Sequence, residues 1–182
     1  SYELNLTSVD GCRPCDKGHW CSAGKEIACS RGYYNEHEGG DSQEACTACP
    51  AASTTDEEAS TSFSDCRCLK GYFADSRLEP QIRTLLADSS ADMESLNRLS
   101  AEYCTECVVG SVCDEPGITL ASLPLLPGYY RSSNTSVDLR RCPDASSSEP
   151  GCVGGTGDTC KEWLAGPYCL QCNVTDTSRY YD

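Results

Sequence analysis

Sixteen cysteines in 182 residues constrain this chain more than any other feature. Leu, Ile, Val and Phe together supply only 27 residues, and the net charge is −14. A chain so poor in large apolar side chains and so charged ordinarily stays unfolded, because burial does not offset the entropy of ordering it. Cross-links change that balance, as they do in small secreted domains that lack a sufficient core. If all sixteen cysteines pair, each bridge closes a loop of the unfolded chain and contributes roughly 2–4 kcal/mol. The cysteines in question are Cys12, Cys15, Cys21, Cys29, Cys46, Cys49, Cys66, Cys68, Cys104, Cys107, Cys113, Cys142, Cys152, Cys160, Cys169 and Cys172.

Zinc is the competing use of clustered cysteines, with Cys and His drawn together in fours. Only two histidines are present, His19 and His37, and three N-glycosylation sequons begin at Asn5, Asn134 and Asn173. Sequons in an acidic, cysteine-rich chain point to disulfides and to an extracellular or cell-surface location. The acidity argues against nucleic acid and anionic membranes as partners. The most apolar stretch, Ile118 to Leu126, is broken by Pro124 and falls well short of the ~20 residues that cross a bilayer, so no membrane insertion is expected. With neither an initiator Met nor a leader-like segment at its start, the sequence is expected to be a processed protein or a piece of a larger extracellular one.

Residues 1–11 alternate Tyr2, Leu4 and Leu6 with Glu3, Asn5 and Thr7, the period-two pattern of a strand. An internal repeat follows. Cys12-Arg-Pro-Cys15-Asp-Lys-Gly18-His-Trp-Cys21 has the form C-x-x-C-x-x-G-x-x-C, which returns as Cys104-Thr-Glu-Cys107-Val-Val-Gly110-Ser-Val-Cys113. Gly32-Tyr33-Tyr34 precedes Cys46 at the same distance at which Gly128-Tyr129-Tyr130 precedes Cys142, and Gly71-Tyr72-Phe73 is a third such unit. Glycine there supplies positive φ to a tight turn, and the rings are expected to cover a disulfide with their hydroxyls at the wet rim; carbohydrate stacking is the alternative.

The spacing predicts a first cysteine-rich subdomain over residues 12–75, a helical insert over 76–103 and a second cysteine-rich subdomain over 104–182. In the insert, Ile82, Leu85, Leu86, Met93, Leu96, Leu99 and Tyr103 recur at helical spacing, and Ser89 to Asp92 has the form of a capping start, so the segment reads as two short helices or one bent one. Its apolar stripe is expected to pack on a neighbouring subdomain, with a helix-in-groove partner site as the alternative. The fold class expected is a small disulfide-rich architecture of loops and short β-hairpins with a helical insert. Within the first subdomain, the fours Cys12/15/21/29 and Cys46/49/66/68 suggest alternating pairing, one to three and two to four, although connectivity does not follow from sequence alone.

The first half, from its C-x-x-C-x-x-G-x-x-C through Cys46-x-x-Cys49-Pro50, Ser53-Thr54-Thr55 and Cys66-x-Cys68-x-x-Gly-Tyr, resembles the ephrin-receptor-like cysteine-rich repeat, which is related to TNF-receptor and EGF-like modules. The second half, with Gly128-Tyr129-Tyr130-Arg131, Cys142-Pro143, Cys152-Val-Gly154-Gly155 and Gly166-Pro167-Tyr168-Cys169, resembles an ending found after such repeats in large surface proteins of protists and algae. The resemblance implies a non-catalytic spacer, adhesion or receptor-ectodomain module and names no ligand. It departs in the helical insert and at Leu126, in the stretch where the first copy has Cys29 ahead of Gly-Tyr-Tyr. EGF-style calcium binding would want several acidic or amide ligands before the first cysteine, and Val9-Asp10-Gly11-Cys12 offers one carboxylate, so calcium remains a minor alternative and no cofactor beyond N-linked glycans is expected.

Catalysis finds little support. Neither histidine sits in a nucleophile motif, and Asp56-Glu57-Glu58 reads as a solvated run in a Ser/Thr-rich loop rather than a glycosidase pair. The Cys-x-x-Cys pairs lack the βαβ context of a thiol oxidoreductase. The leading expectation is therefore a structural building block of a surface filament, appendage or matrix, assembled through Tyr2, Leu4 and Leu6 and through Leu123, Leu125 and Leu126 against copies of itself or other extracellular proteins and glycans. The alternative is a ligand-binding or adhesion module of a receptor ectodomain.

Overall fold

A computed structural model describes residues 13–172 except 89 and 158. The alternating segment with Tyr2, Leu4, Asn5 and Leu6, together with Cys12 and Asn173, lies outside the described residues.

One local device recurs five times along the chain. In Cys15-Asp-Lys-Gly18-His19, Cys29-Ser-Arg-Gly32-Tyr33, Cys68-Leu-Lys-Gly71-Tyr72, Cys107-Val-Val-Gly110-Ser111 and Leu125-Leu-Pro-Gly128-Tyr129, the residue after glycine donates its N–H to the carbonyl three residues back. All five glycines hold φ between 76° and 96°, a region that side chains disfavour. Each of these glycines then accepts, at its own carbonyl, an N–H from further along: Cys29, Cys49, Cys107, Leu126 and Cys142 in turn, at 2.8–2.9 Å. Three of those five acceptor contacts therefore fix the residue that opens, or neighbours the opening of, the next turn.

The turns launch short antiparallel ladders. β1 (His19–Ser22) pairs with β2 (Lys25–Ala28) through a two-residue turn at Ala23 and Gly24, β3 (Tyr33–Tyr34) with β4 (Thr47–Ala48), and β5 (Ser53–Thr55) with β6 (Cys66–Cys68). Further on, β7 (Tyr72–Ala74) pairs with β8 (Cys104–Glu106), β9 (Tyr129–Tyr130) with β10 (Arg140–Arg141), and β11 (Leu164–Ala165) with β12 (Gln171–Cys172). Isolated two-stranded ladders are marginal in water. Disulfides hold these: Cys15–Cys21, Cys29–Cys46, Cys49–Cys66, Cys68–Cys104, Cys107–Cys113, Cys142–Cys152 and Cys160–Cys169. The architecture is the small disulfide-rich one of loops and short hairpins.

The pairing differs from the alternating scheme. Each bridge joins a cysteine to the next described one along the chain, so the two halves of Cys46-x-x-Cys49 and of Cys104-x-x-Cys107 belong to different bridges. The physical reason is the turn just described, which carries the chain forward from one bridge to the next instead of folding it back over the previous one. Cys172, half-buried in β12, has no disulfide partner among the described residues.

By contacts the chain divides into two compact units, residues 1–49 with 53–66, and residues 50–52 with 67–182. Cys68–Cys104, which encloses the helices, belongs wholly to the second unit. In the first unit Tyr34 and Phe63 are buried edge-to-face with ring centroids 6.0 Å apart. In the second, α1 (Glu79–Ala87) packs on α2 (Met93–Tyr103), burying Ile82 and Tyr103, while Asp92 caps α2 by accepting the N–H groups of Glu94 and Ser95. Of the two forms open from the sequence, two short helices rather than one bent one are present.

The second unit's main apolar core corrects the assembly contact expected for Leu123 and Leu125. Leu120, Leu123 and Leu125 are 1%, 0% and 3% exposed, and Leu120 and Leu123 cluster with Phe73 and Cys113. Leu125 opens the fifth turn, where the other four have a bridged cysteine. Lacking a cross-link there, the chain buries leucine instead, at roughly 1.5–3 kcal/mol per fully buried side chain. Leu126, the turn's next residue, is 42% exposed. Arg131 locks the same loop: its buried guanidinium donates to the carbonyls of Leu120 (2.7 Å), Leu123 (3.2 Å) and Ala121 (3.3 Å). Burial pushes the Arg131 pKa down.

Candidate functional site: an aromatic groove on the first unit

Two-residue hairpin geometry decides where Trp20 and Ile27 go. They face each other across β1 and β2, so both side chains project from the same side of the ladder. Tyr33, first residue of β3, follows the second glycine turn and points outward, whereas its neighbour Tyr34 points into the core by strand alternation. The two tyrosines of that Gly-Tyr-Tyr unit thus divide the expected roles, one packing inside and one standing at the surface.

Trp20, Ile27 and Tyr33 surround a groove of about 160 Å³, and the Cys29–Cys46 bridge forms its floor, with Ser30 and Gln43 at its polar edge. Tyr33 is 43% exposed and Ile27 37%. Among the lining residues the only sulfurs are tied up in the bridge, and no carboxylate, imidazole or amine is present. The groove therefore offers apolar surface, an aromatic face, one phenol and amide or hydroxyl groups. Such a lining suits contact with an apolar side chain and supplies no carboxylate or imidazole as a general base.

Residues 18–66 match the family model described as tyrosine-protein kinase ephrin type A/B receptor-like.

That stretch contains every residue lining the groove, so the groove lies in a segment similar to a receptor-type cysteine-rich repeat. No curated protein and no solved structure matches the chain. Among the described residues no helix is long and apolar enough to cross a membrane.

The remaining candidate residues are dispersed. Asn134 is exposed on the second unit, in a turn in which Ser136 N–H donates to the Ser133 carbonyl. Asp56, Glu57 and Glu58 are exposed, in keeping with a solvated run. His19 lies within hydrogen-bond distance of the Lys17 carbonyl and His37 is exposed. Cys142, Asp144 and Cys152 approach one another, but both cysteines are consumed by their mutual bridge and are not thiolate ligands.

Sequence reasoning singled out Tyr33 but missed Trp20 and Ile27. Their signal was symmetric spacing about Ala23-Gly24: each lies three positions from the nearer turn residue, which makes them cross-strand partners in a two-residue hairpin.

Proposed function

We propose that the chain is a non-catalytic ligand-binding or adhesion module of an extracellular protein, and that Trp20, Ile27 and Tyr33 form its contact surface for a protein partner. The observation that carries this reading is an exposed aromatic and aliphatic groove with a disulfide floor, lying within the receptor-like repeat. At about 160 Å³ the groove is smaller than the roughly 300–1,000 Å³ of small-molecule sites, and its size suits one apolar side chain of a partner protein. Anchoring of that kind, an aliphatic or aromatic side chain in a desolvated pocket with a polar rim, is how interfaces concentrate their energy.

The filament reading loses support at Leu123 and Leu125, whose side chains are occupied in the core. The two readings separate in one experiment. The secreted, oxidised chain is sized by chromatography with light scattering, imaged by negative stain, and screened by biolayer interferometry against a panel of extracellular protein domains. A monomer that binds a panel member saturably supports the module. Ordered fibres together with no binding on the panel contradict it.

A further inference from the structure

The second unit carries a larger concavity that the proposed contact surface leaves unused. It encloses about 420 Å³, within the usual range for small-ligand sites, and its lining comprises Tyr130–Asn134, Thr156–Gly157, Thr159–Glu162 and Leu164–Gly166. Hydroxyls of Ser132, Ser133 and Thr159, the Lys161 ammonium and the Glu162 carboxylate supply donors and acceptors, and the Tyr130 ring supplies an aromatic wall. Lys161 is anchored through the Glu149 carbonyl at 2.9 Å, and Tyr130 is held against Tyr168 with centroids 5.4 Å apart. The wall is thus fixed before anything enters.

Asn134 is itself a lining residue and is the acceptor position of the sequon Asn134-Thr135-Ser136. It occupies the second position of the Ser133–Ser136 turn, where its amide is exposed. Polar groups around an aromatic face are the set that a pyranose ring calls for, with hydroxyls bonded at its edge and C–H groups laid on the ring. The occupant that the geometry favours is therefore one attached at the cleft's own rim.

We infer that Asn134 carries an N-linked glycan whose first sugars lie in this cleft and make it part of the folded structure. The inference rests on the extracellular reading of the chain. Attachment is a glycosyl transfer from a lipid-linked oligosaccharide diphosphate: the bond from Asn134 Nδ2 to the anomeric carbon forms, the bond from that carbon to the diphosphate oxygen breaks, and the amide gives up one proton. Nothing is oxidised or reduced. Once attached, the sugar removes the cleft and the Tyr130 ring edge from partner access, so binding is confined to other faces.

Gly157 gives a clean probe. A Cβ there meets nothing within 4 Å and its backbone is not in the left-handed region, so Gly157→Trp adds an indole at a residue lining the cleft without a clash at Cβ. The protein is secreted from eukaryotic cells, each sequon's occupancy is read by peptide mass spectrometry, and the rate of glycan release by a peptide N-glycosidase is compared for native wild type, native Gly157→Trp and denatured wild type. Expected results are an occupied Asn134, native release at least tenfold slower than from the denatured protein, and Gly157→Trp moving most of the way to the denatured rate. Hydrogen exchange at residues 130–134 and 159–165 is expected to be slower in the glycosylated protein than in Asn134→Gln. An unmodified Asn134 in a secreted protein glycosylated elsewhere overturns the inference alone, whereas failure of secretion with no sequon occupied overturns the extracellular reading as well. An occupied Asn134 with equal release rates in native wild type and Gly157→Trp, and equal exchange in Asn134→Gln, overturns the seating of the glycan.

Discussion

Replacing Arg131 with methionine keeps a long side chain but removes three hydrogen bonds that end in the loop of residues 120–123. Leu120 and Leu123, which own two of the accepting carbonyls, are 1% and 0% exposed, so those oxygens have little access to water when the guanidinium is gone. An unpaired buried carbonyl costs roughly 1–3 kcal/mol. Against this, the variant no longer desolvates a cation, a cost visible in the downward shift of the Arg131 pKa. The net expectation is a loss of about 2–4 kcal/mol, or about 5–15 °C in Tm for a chain of this length. Guanidinium unfolding of the disulfide-intact protein, followed by Trp fluorescence and circular dichroism, measures it as a lower midpoint at unchanged slope. Arg131→Lys should recover part of the loss, and Arg140→Met, on an exposed arginine paired with exposed Asp138, should stay within about 0.5 kcal/mol. If Arg131→Met unfolds within about 0.5 kcal/mol of wild type, the guanidinium does not hold this loop and the reasoning fails.

Gly110→Ala places a Cβ against the Tyr129 ring at φ +96°, and is expected to cost about 2–4 kcal/mol, while Gly157→Ala should remain within about 1 kcal/mol; thermal melts of the two variants check the contrast. Peptide mapping without reduction should recover Cys29 linked to Cys46, Cys49 to Cys66 and Cys68 to Cys104, and links of Cys46 to Cys66 and Cys49 to Cys68 would restore the alternating scheme. Burial, with Glu79 nearby, pushes the Tyr103 phenol up to about 12. The unfolded chain releases that proton near 10, so Tyr103 makes stability fall as pH rises between about 10 and 12, and Tyr103→Phe should flatten that slope in alkaline unfolding curves.

Much of this fold was legible because its signals are local. Gly32, Gly71 and Gly128 before aromatic residues announced turns, and the spacing from Ile82 to Tyr103 announced helices, each decided by a few neighbouring residues. Pairing was not legible, because sequence spacing does not say whether a chain advances or doubles back between cysteines; hydrogen bonds such as Cys49 N–H to the Gly32 carbonyl decide that. Leu123 and Leu125 read as surface contacts because nothing local revealed that the loop of residues 120–123 would pack on Phe73 and be bonded by Arg131. Of the groove, Tyr33 was visible in a repeat, while Trp20 and Ile27 acquire meaning only once the hairpin register is fixed.

The contact surface itself is tested by an affinity ratio. With a binding member of the extracellular-domain panel in hand, the affinities of wild type, Trp20→Ser, Tyr33→Ser and Val109→Ser are compared, after identical disulfide maps and melting curves show that each variant is folded. Val109 is 84% exposed on the second unit and serves as the control. An aromatic anchor is worth about 2 kcal/mol or more, so Trp20→Ser and Tyr33→Ser should each weaken binding by about thirtyfold or more and Val109→Ser by less than about threefold. Equal affinities for wild type, Trp20→Ser and Tyr33→Ser would contradict the account.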